Sequence, residues 1–183
     1  MIKYLAFEQG IKFPWQKPAK LWYGLWLLVP IIGWFALGGY WIKIIKALVA
    51  GKNKGLPEFG KFWDNFVDGV VLFVKILPLV IVVSLLEHIP VFGDILQLAV
   101  SILFVPYLLI NTVITGKFEE SFNIKKAWNI VIVKKFADYL IVLIKTIGYV
   151  IVYSILSIVL VGIPCLMFGE YYYFCDFYAK NNK

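Results

Sequence analysis

The chain has no arginine; all 18 of its basic residues are lysine. A site that grips phosphate or carboxylate through a planar fork of donors is therefore missing. An AT-rich coding sequence, which favours lysine and isoleucine codons, accounts for the bias without any functional cause. Charge of either sign is scarce. Charged residues make up 16% of the chain, where an ordinary soluble domain has about a quarter. There are two cysteines, Cys165 and Cys175, and no CxxC. Ten positions apart on one helix, they stand about 80° and about 15 Å from each other, so they are not expected to pair, and no disulfide framework is implied. Glu8, Lys12 and Lys17 interrupt any apolar core near the N-terminus, so no cleavable signal peptide is expected. Nothing matches a GxxxxGK[ST] phosphate loop, a GxSxG elbow, an HExxH helix or a nucleotide fingerprint. No cofactor and no reaction are indicated.

Apolar surface is plentiful. The 183 residues are 62% hydrophobic, more than a soluble fold of this size can bury, and the bilayer is the natural solvent for the excess. The net charge of +7 then fits cytoplasmic lysines held near anionic lipid rather than a nucleic-acid surface. Apolar stretches run over 21–49, 66–86, 91–115 and 139–178. A spanning helix needs about 20 residues. The two middle stretches fit one span each, and the last is long enough for two.

One block is written twice. Phe66, Asp68 and Lys75 match Phe136, Asp138 and Lys145 without a gap; Val80-Ile81-Val82 matches Val150-Ile151-Val152, and Ser84 matches Ser154. Further on, Ile89-Pro90 followed by Phe92-Gly93-Asp94 resembles Ile163-Pro164 followed by Phe168-Gly169-Glu170. Each copy reads as a helix, a Pro/Gly turn and a returning helix, with the second break at Gly162-Ile163-Pro164. VPIIG at 29–33 resembles IPVFG at 89–93. The expected organisation is a single membrane domain, 1–183, with an internal repeat at about 57–117 and 119–180 and a shorter third copy at 12–52. The weak arm is Leu21–Val29, about 14 Å as α-helix, so 21–49 is either a half-span hairpin or one kinked helix. The turns at 29–33, 87–94 and 161–164 carry no lysine, whereas loops 50–61 and 116–135 carry many. The positive-inside rule puts those loops and both chain ends in the cytoplasm. The fold class expected is all-α: a multi-pass bundle of repeated helical hairpins in the cell membrane, with amphipathic interfacial helices on the cytoplasmic side.

Two segments suit that interface. In LPEFGKFWDNFVDG, Pro57 and Glu58 fit a first helical turn, and Phe59, Phe62, Trp63 and Phe66 share one side. In EESFNIKKAWNIVIVKKFADY, acids lead and lysines and Trp128 follow. Each either lies along the membrane surface or extends the next helix inward. The first third of the chain, with Phe13-Pro14-Trp15, Gly39-Tyr40, Leu56-Pro57-Glu58 and Val67-Asp68-Gly69, resembles the membrane-protein family known as domain of unknown function 4013. Its members share an FPW-like opening, a Gly-Tyr followed by basic residues, a short loop to LPE and an amphipathic segment ending in Val-Asp-Gly. They usually have arginine where this chain has Lys43 and Lys46. The resemblance implies an integral membrane protein and brings no activity.

Charges inside apolar runs are the candidate functional residues. Lys75 and Lys145 each follow an aspartate, Asp68 and Asp138, by two helical turns, about 10.5 Å. Three roles are open to the lysines. They snorkel to the inner interface, or form crossed pairs Asp68–Lys145 and Asp138–Lys75, or line a polar path. Glu87, His88 and Asp94 cluster at an outer turn; a metal or proton-relay site competes there with an ordinary solvated turn. Glu170 falls within an apolar run, and Asp176 stands on the opposite side of that helix. Tyr171, Tyr172, Tyr173 and Tyr178 read as an interfacial belt. Asn111, Thr112 and Thr115 read as hydrogen-bond donors to neighbouring helices.

The functional expectation is a non-enzymatic protein acting through self-assembly or as a subunit of a membrane complex, with membrane lipids as its other partners. That reading requires an exposed apolar face lined by small residues. A small transporter or pore requires Lys75, Lys145 and Glu170 beside a wet path. A lipid-binding or lipid-modifying protein requires a pocket with convergent polar groups.

Overall fold

The structure, a computed structural model, describes residues 4–182. Every regular element among them is helical. After α1 (Phe7–Lys12) and a 3₁₀ turn (Pro14–Gln16), an eleven-residue 3₁₀ helix, Pro18–Leu28, leads to a reversal and α2 (Ile32–Val49). The Tyr23 and Tyr40 rings lie 5.4 Å apart, and Trp34 Nε1 donates to the Leu27 carbonyl at 3.0 Å. The two arms thus run antiparallel, and 21–49 doubles back rather than forming one kinked helix. The first arm also reaches further than an α rise suggests: at the 3₁₀ rise of about 2.0 Å per residue it spans about 22 Å.

Residues 52–61 are not helical, and α3 starts at Phe62 and runs to Leu86. Pro57 and Glu58 therefore do not open a helix. The carbonyls there are claimed from outside: Tyr40 Oη donates to Pro57 O at 2.9 Å, and Lys43 Nζ and Asn65 Nδ2 donate to Phe59 O at 2.7 and 2.8 Å. The aromatics after the loop extend α3 and pack on the first hairpin, Trp26 on Phe62 at 4.5 Å and Phe35 on Phe66 at 5.9 Å. α2 and α3 cross with their backbones in contact. A Cβ on Gly39 would stand 1.9 Å from Asn65 O, and one on Gly69 would stand 1.8 Å from Phe35 O.

The stretch after the second turn is two helices, α4 (Gly93–Leu103) and α5 (Val105–Thr115), bent by 43°. Pro106 has no N–H for the carbonyl four residues back, at Ile102. Tyr139 Oη takes that carbonyl at 2.8 Å, which fixes the bend against the next hairpin. A 3₁₀ turn (Phe118–Phe122), α6 (Ile124–Trp128) and a π-helical turn (Asn129–Lys134) precede α7 (Phe136–Leu156). The chain reverses at Leu160-Val161, just before the expected break. α8 (Gly162–Gly169) starts on the glycine and takes Pro164 in its first turn, where a missing N–H costs nothing. α9 (Tyr172–Asn181) ends the described chain and packs on α2, α5 and α7. Ile32–Val49, Phe62–Leu86 and Phe136–Val159 are each long and apolar enough to cross a membrane, and the bent α4–α5 pair is a fourth candidate.

The three reversals share one backbone geometry. Ile31, Val91 and Leu160 are the positive-φ residues other than glycine among those described, at 61°, 71° and 62°. Each is the centre of a γ-turn, closed by Ile32 N–H to Pro30 O at 2.7 Å, Phe92 N–H to Pro90 O at 2.9 Å and Val161 N–H to Val159 O at 2.7 Å. Two residues further on stands Gly33, Gly93 or Gly162, where a Cβ would meet a backbone atom at 2.0, 2.4 or 2.2 Å. Ile89-Pro90 thus comes before the centre of its γ-turn, whereas Ile163-Pro164 comes after its own. A β-branched residue in this region is strained. Val91 is 87% exposed and loses little packing on truncation. Val91→Gly is expected to raise stability by roughly 0.5–1 kcal/mol, the relief of φ strain less the entropy of glycine, read as a higher melting temperature in detergent.

Candidate functional site

The lysines flagged in the sequence bond to backbone carbonyls. Lys75 Nζ donates to Gly116 O at 2.7 Å and Lys145 Nζ to Leu5 O at 2.8 Å. Lys20 Nζ does the same to Leu56 O at 3.0 Å and pairs with Glu58 at 2.6 Å; that ammonium holds the Glu58 carboxyl below its ordinary value of 4.5. The crossed pairs are not formed: Asp138 accepts from Tyr4 Oη at 3.2 Å and lies 3.9 Å from Lys135 Nζ. Asp68 and Lys75 do line one crevice of about 100 Å³, with Lys46, Thr112 and Gly116, between α2, α3 and α5. Gly116 caps the C-terminal end of α5, Leu56 O lies within the 52–61 loop and Leu5 O just before α1, so these bonds tie α3, the 3₁₀ helix Pro18–Leu28 and α7 to distant segments of backbone.

Glu170 lies elsewhere. It lines a cleft of about 290 Å³ between the first hairpin and α8, with Leu27, Trp34, Leu37, Trp41, Met167 and Phe168. Trp41 is held edge-to-face by Tyr171 at 4.8 Å, and Trp34 by its bond to Leu27. The Glu170 side chain has no hydrogen-bond or ion-pair partner among the described residues. The two indoles, seven positions apart, share one face of α2; that spacing was the sequence signal for them. Asp176 points away and accepts the Leu5 N–H at 2.9 Å and Lys180 at 2.7 Å.

The tyrosines are core rather than belt. Tyr172, Tyr173 and Tyr178 are buried, and Tyr171 is half-buried. Tyr173 Oη donates to Phe7 O at 2.5 Å, and Tyr178 Oη to Asn111 Oδ1 at 2.8 Å. Fully buried Asn111 also accepts from Lys126 Nζ at 3.0 Å and donates Nδ2 to the Glu120 carboxylate. It thus joins α5, α6, α9 and the 3₁₀ turn. The Asn111 bond holds Glu120 below its ordinary value of 4.5. Thr112 and Thr115 bond back to their own helix, to Leu108 O at 2.8 Å and Asn111 O at 2.7 Å. At the second turn Glu87 accepts from Gln97 Nε2 at 3.5 Å. Neither Glu87, His88 and Asp94 nor any other set of three such side chains among the described residues could hold a metal.

Long apolar helices and a backbone-to-backbone crossing at glycine make this all-α chain compatible with a membrane protein. The family model described as a protein of unknown function, DUF4013, matches residues 23–162, and the chain belongs to that family. No curated protein matches it. No solved structure matches it. The family's Gly-Tyr, LPE and VDG residues meet in one place, the α2–α3 crossing and the loop clamped over it. Phe13 and Trp15, before the matched range, dock on Tyr172 at 5.0 Å and on Tyr153 Oη at 2.8 Å.

Proposed function

We propose that this is a non-enzymatic multi-pass protein of the cell membrane, built from three tandem hairpins inserted from the cytoplasm, that holds an amphiphilic membrane component in the cleft at Glu170. The observation that carries the reading is that cleft: apolar walls, two oriented indoles and one acid without a partner. The matching γ-turns support the triplicated hairpin, and the Lys75 bond from α3 to the end of α5 holds the second one together. Lysine-free turns and lysine-rich loops support cytoplasmic termini, with anionic lipid near the loops and α6 at the interface.

Self-assembly or membership of a membrane complex is the second reading. The broad exposed faces of α3 and α7 favour it, Val67, Val74 and Ile81 on one and Ile144, Ile151 and Ile155 on the other. These faces are bulky, however. Small residues that let helices approach, Gly39 and Gly69, are already used inside the chain. A transport path has less support, since Lys75, Lys145 and Glu170 stand at three separate places. Native mass spectrometry from gentle detergent separates the readings. A monomer that retains one amphiphile is expected; a homo-oligomer stripped of lipid would move the function to assembly.

A further inference from the structure

We infer that the Glu170 cleft takes the cationic head group of an amphiphile, a trimethylammonium or an alkylammonium, with the attached chain leaving along the hairpin towards lipid. The inference rests on the amphiphile-holding reading and adds the sign of the charge.

Three observations carry it. First, Glu170 contributes a carboxylate to a cleft whose other named walls are leucine, methionine, phenylalanine and tryptophan. A carboxylate in apolar surroundings is costly unless it takes up a proton or an opposite charge reaches it. Among the described residues, no lysine lines the cleft and none bonds to Glu170. Lys43 of α2 bonds to Phe59 O and Lys180 of α9 pairs with Asp176. Second, Trp34 and Trp41 line the same space. The negative face of an indole attracts a cation, most of all one that is weakly hydrated, as quaternary ammonium is. Both rings are held before any ligand arrives, by the Leu27 carbonyl and by Tyr171, so little ordering is left to the binding step. Third, the volume is about 290 Å³, at the lower end for small-molecule sites. It suits a head group and the start of a chain, not a whole two-chain lipid. Trp34 is 55% exposed and Leu28, one residue beyond the lining Leu27, is 76% exposed, so the cleft is open to the surroundings on the first-hairpin side.

The test uses the full chain in maltoside micelles and two probes of one shape, decyltrimethylammonium and its uncharged carbon analogue ending in a tert-butyl group. Binding is followed by tryptophan fluorescence, and retained size-exclusion elution and helicity establish that each variant folds. The wild type is expected to prefer the cation, and Glu170→Gln to bind it about tenfold or more weakly, the usual effect of losing a charged partner. Trp41→Leu should weaken the cation more than the neutral probe. Equal binding of both probes, unchanged in Glu170→Gln, would overturn the charge assignment and leave the amphiphile-holding reading in place. If neither probe binds a folded wild type, both readings are overturned.

Discussion

Gly39→Ala is expected to prevent recovery of folded protein, while Gly38→Ala next to it leaves the protein intact. The added methyl at 39 would stand 1.9 Å from Asn65 O and 2.7 Å from Asn65 Cα. Those atoms belong to the α3 backbone and cannot rotate away, so the helices must separate along the crossing. Overpacking of this kind costs about 3 kcal/mol or more when no side chain can yield. At Gly38 the nearest atom, Gly69 Cα, is 3.6 Å away, an ordinary contact. The measurement is the fraction of each variant that elutes as a single species from detergent, together with its melting temperature. Equal behaviour of the two variants would mean that the helices do not approach as described. The crossing also explains why Gly39-Tyr40 and Val67-Asp68-Gly69 occur together: both approaching residues must lack a side chain, and Tyr40 then reaches the loop carbonyl at Pro57.

Asn111→Leu is expected to lose about 2–4 kcal/mol, since it removes hydrogen bonds to two charged groups and leaves the buried end of Tyr178 unpaired. Tyr178→Phe alone should lose about 1 kcal/mol, one ordinary hydrogen bond, and the double variant should lose less than the sum because the sites share a bond. A pH effect accompanies this. Glu120 is held below its ordinary value in the folded chain, so the unfolded chain binds the proton more readily. The stabilisation is therefore complete above the ordinary value of 4.5 and declines as pH falls through the lower, folded value. Melting temperature against pH should drop on the acid side in the wild type and drop less in Glu120→Gln. Parallel curves would remove Glu120 from the network.

Much of this was legible in the sequence. Apolar runs became helices, and the lysine-free VPIIG and IPVFG motifs became reversals of one geometry, because hydrophobic length and proline–glycine chemistry act locally. What was not legible depended on partners that carry no side-chain signal. Lys75 and Lys145 invited an ionic partner, but a backbone carbonyl at a loop end satisfies an ammonium equally well and leaves no trace in composition. Tyr172, Tyr173 and Tyr178 were read as a belt because aromatic richness does not distinguish an interface from a core; each hydroxyl needed a buried acceptor supplied by tertiary contact. Glu170 stood out as an acid in an apolar run. Beside its neighbours Met167 and Phe168, its walls come from Leu27 and α2, more than 100 residues earlier in the chain.

The γ-turns bear on how such a chain could be assembled. A reversal normally relies on water or on polar side chains to satisfy the peptide groups that leave the helix. Here each reversal closes on itself through an amide bonded two residues back, and the following glycine lets the new helix start against the old one. The tips at Ile31 and Leu160 are also without charge on either side for ten residues or so. Such a bend can be complete while still surrounded by hydrocarbon. On the proposed reading, the first and third hairpins are thus able to enter the bilayer already folded over, tip first, with strain held in a single residue in place of solvent at the bend.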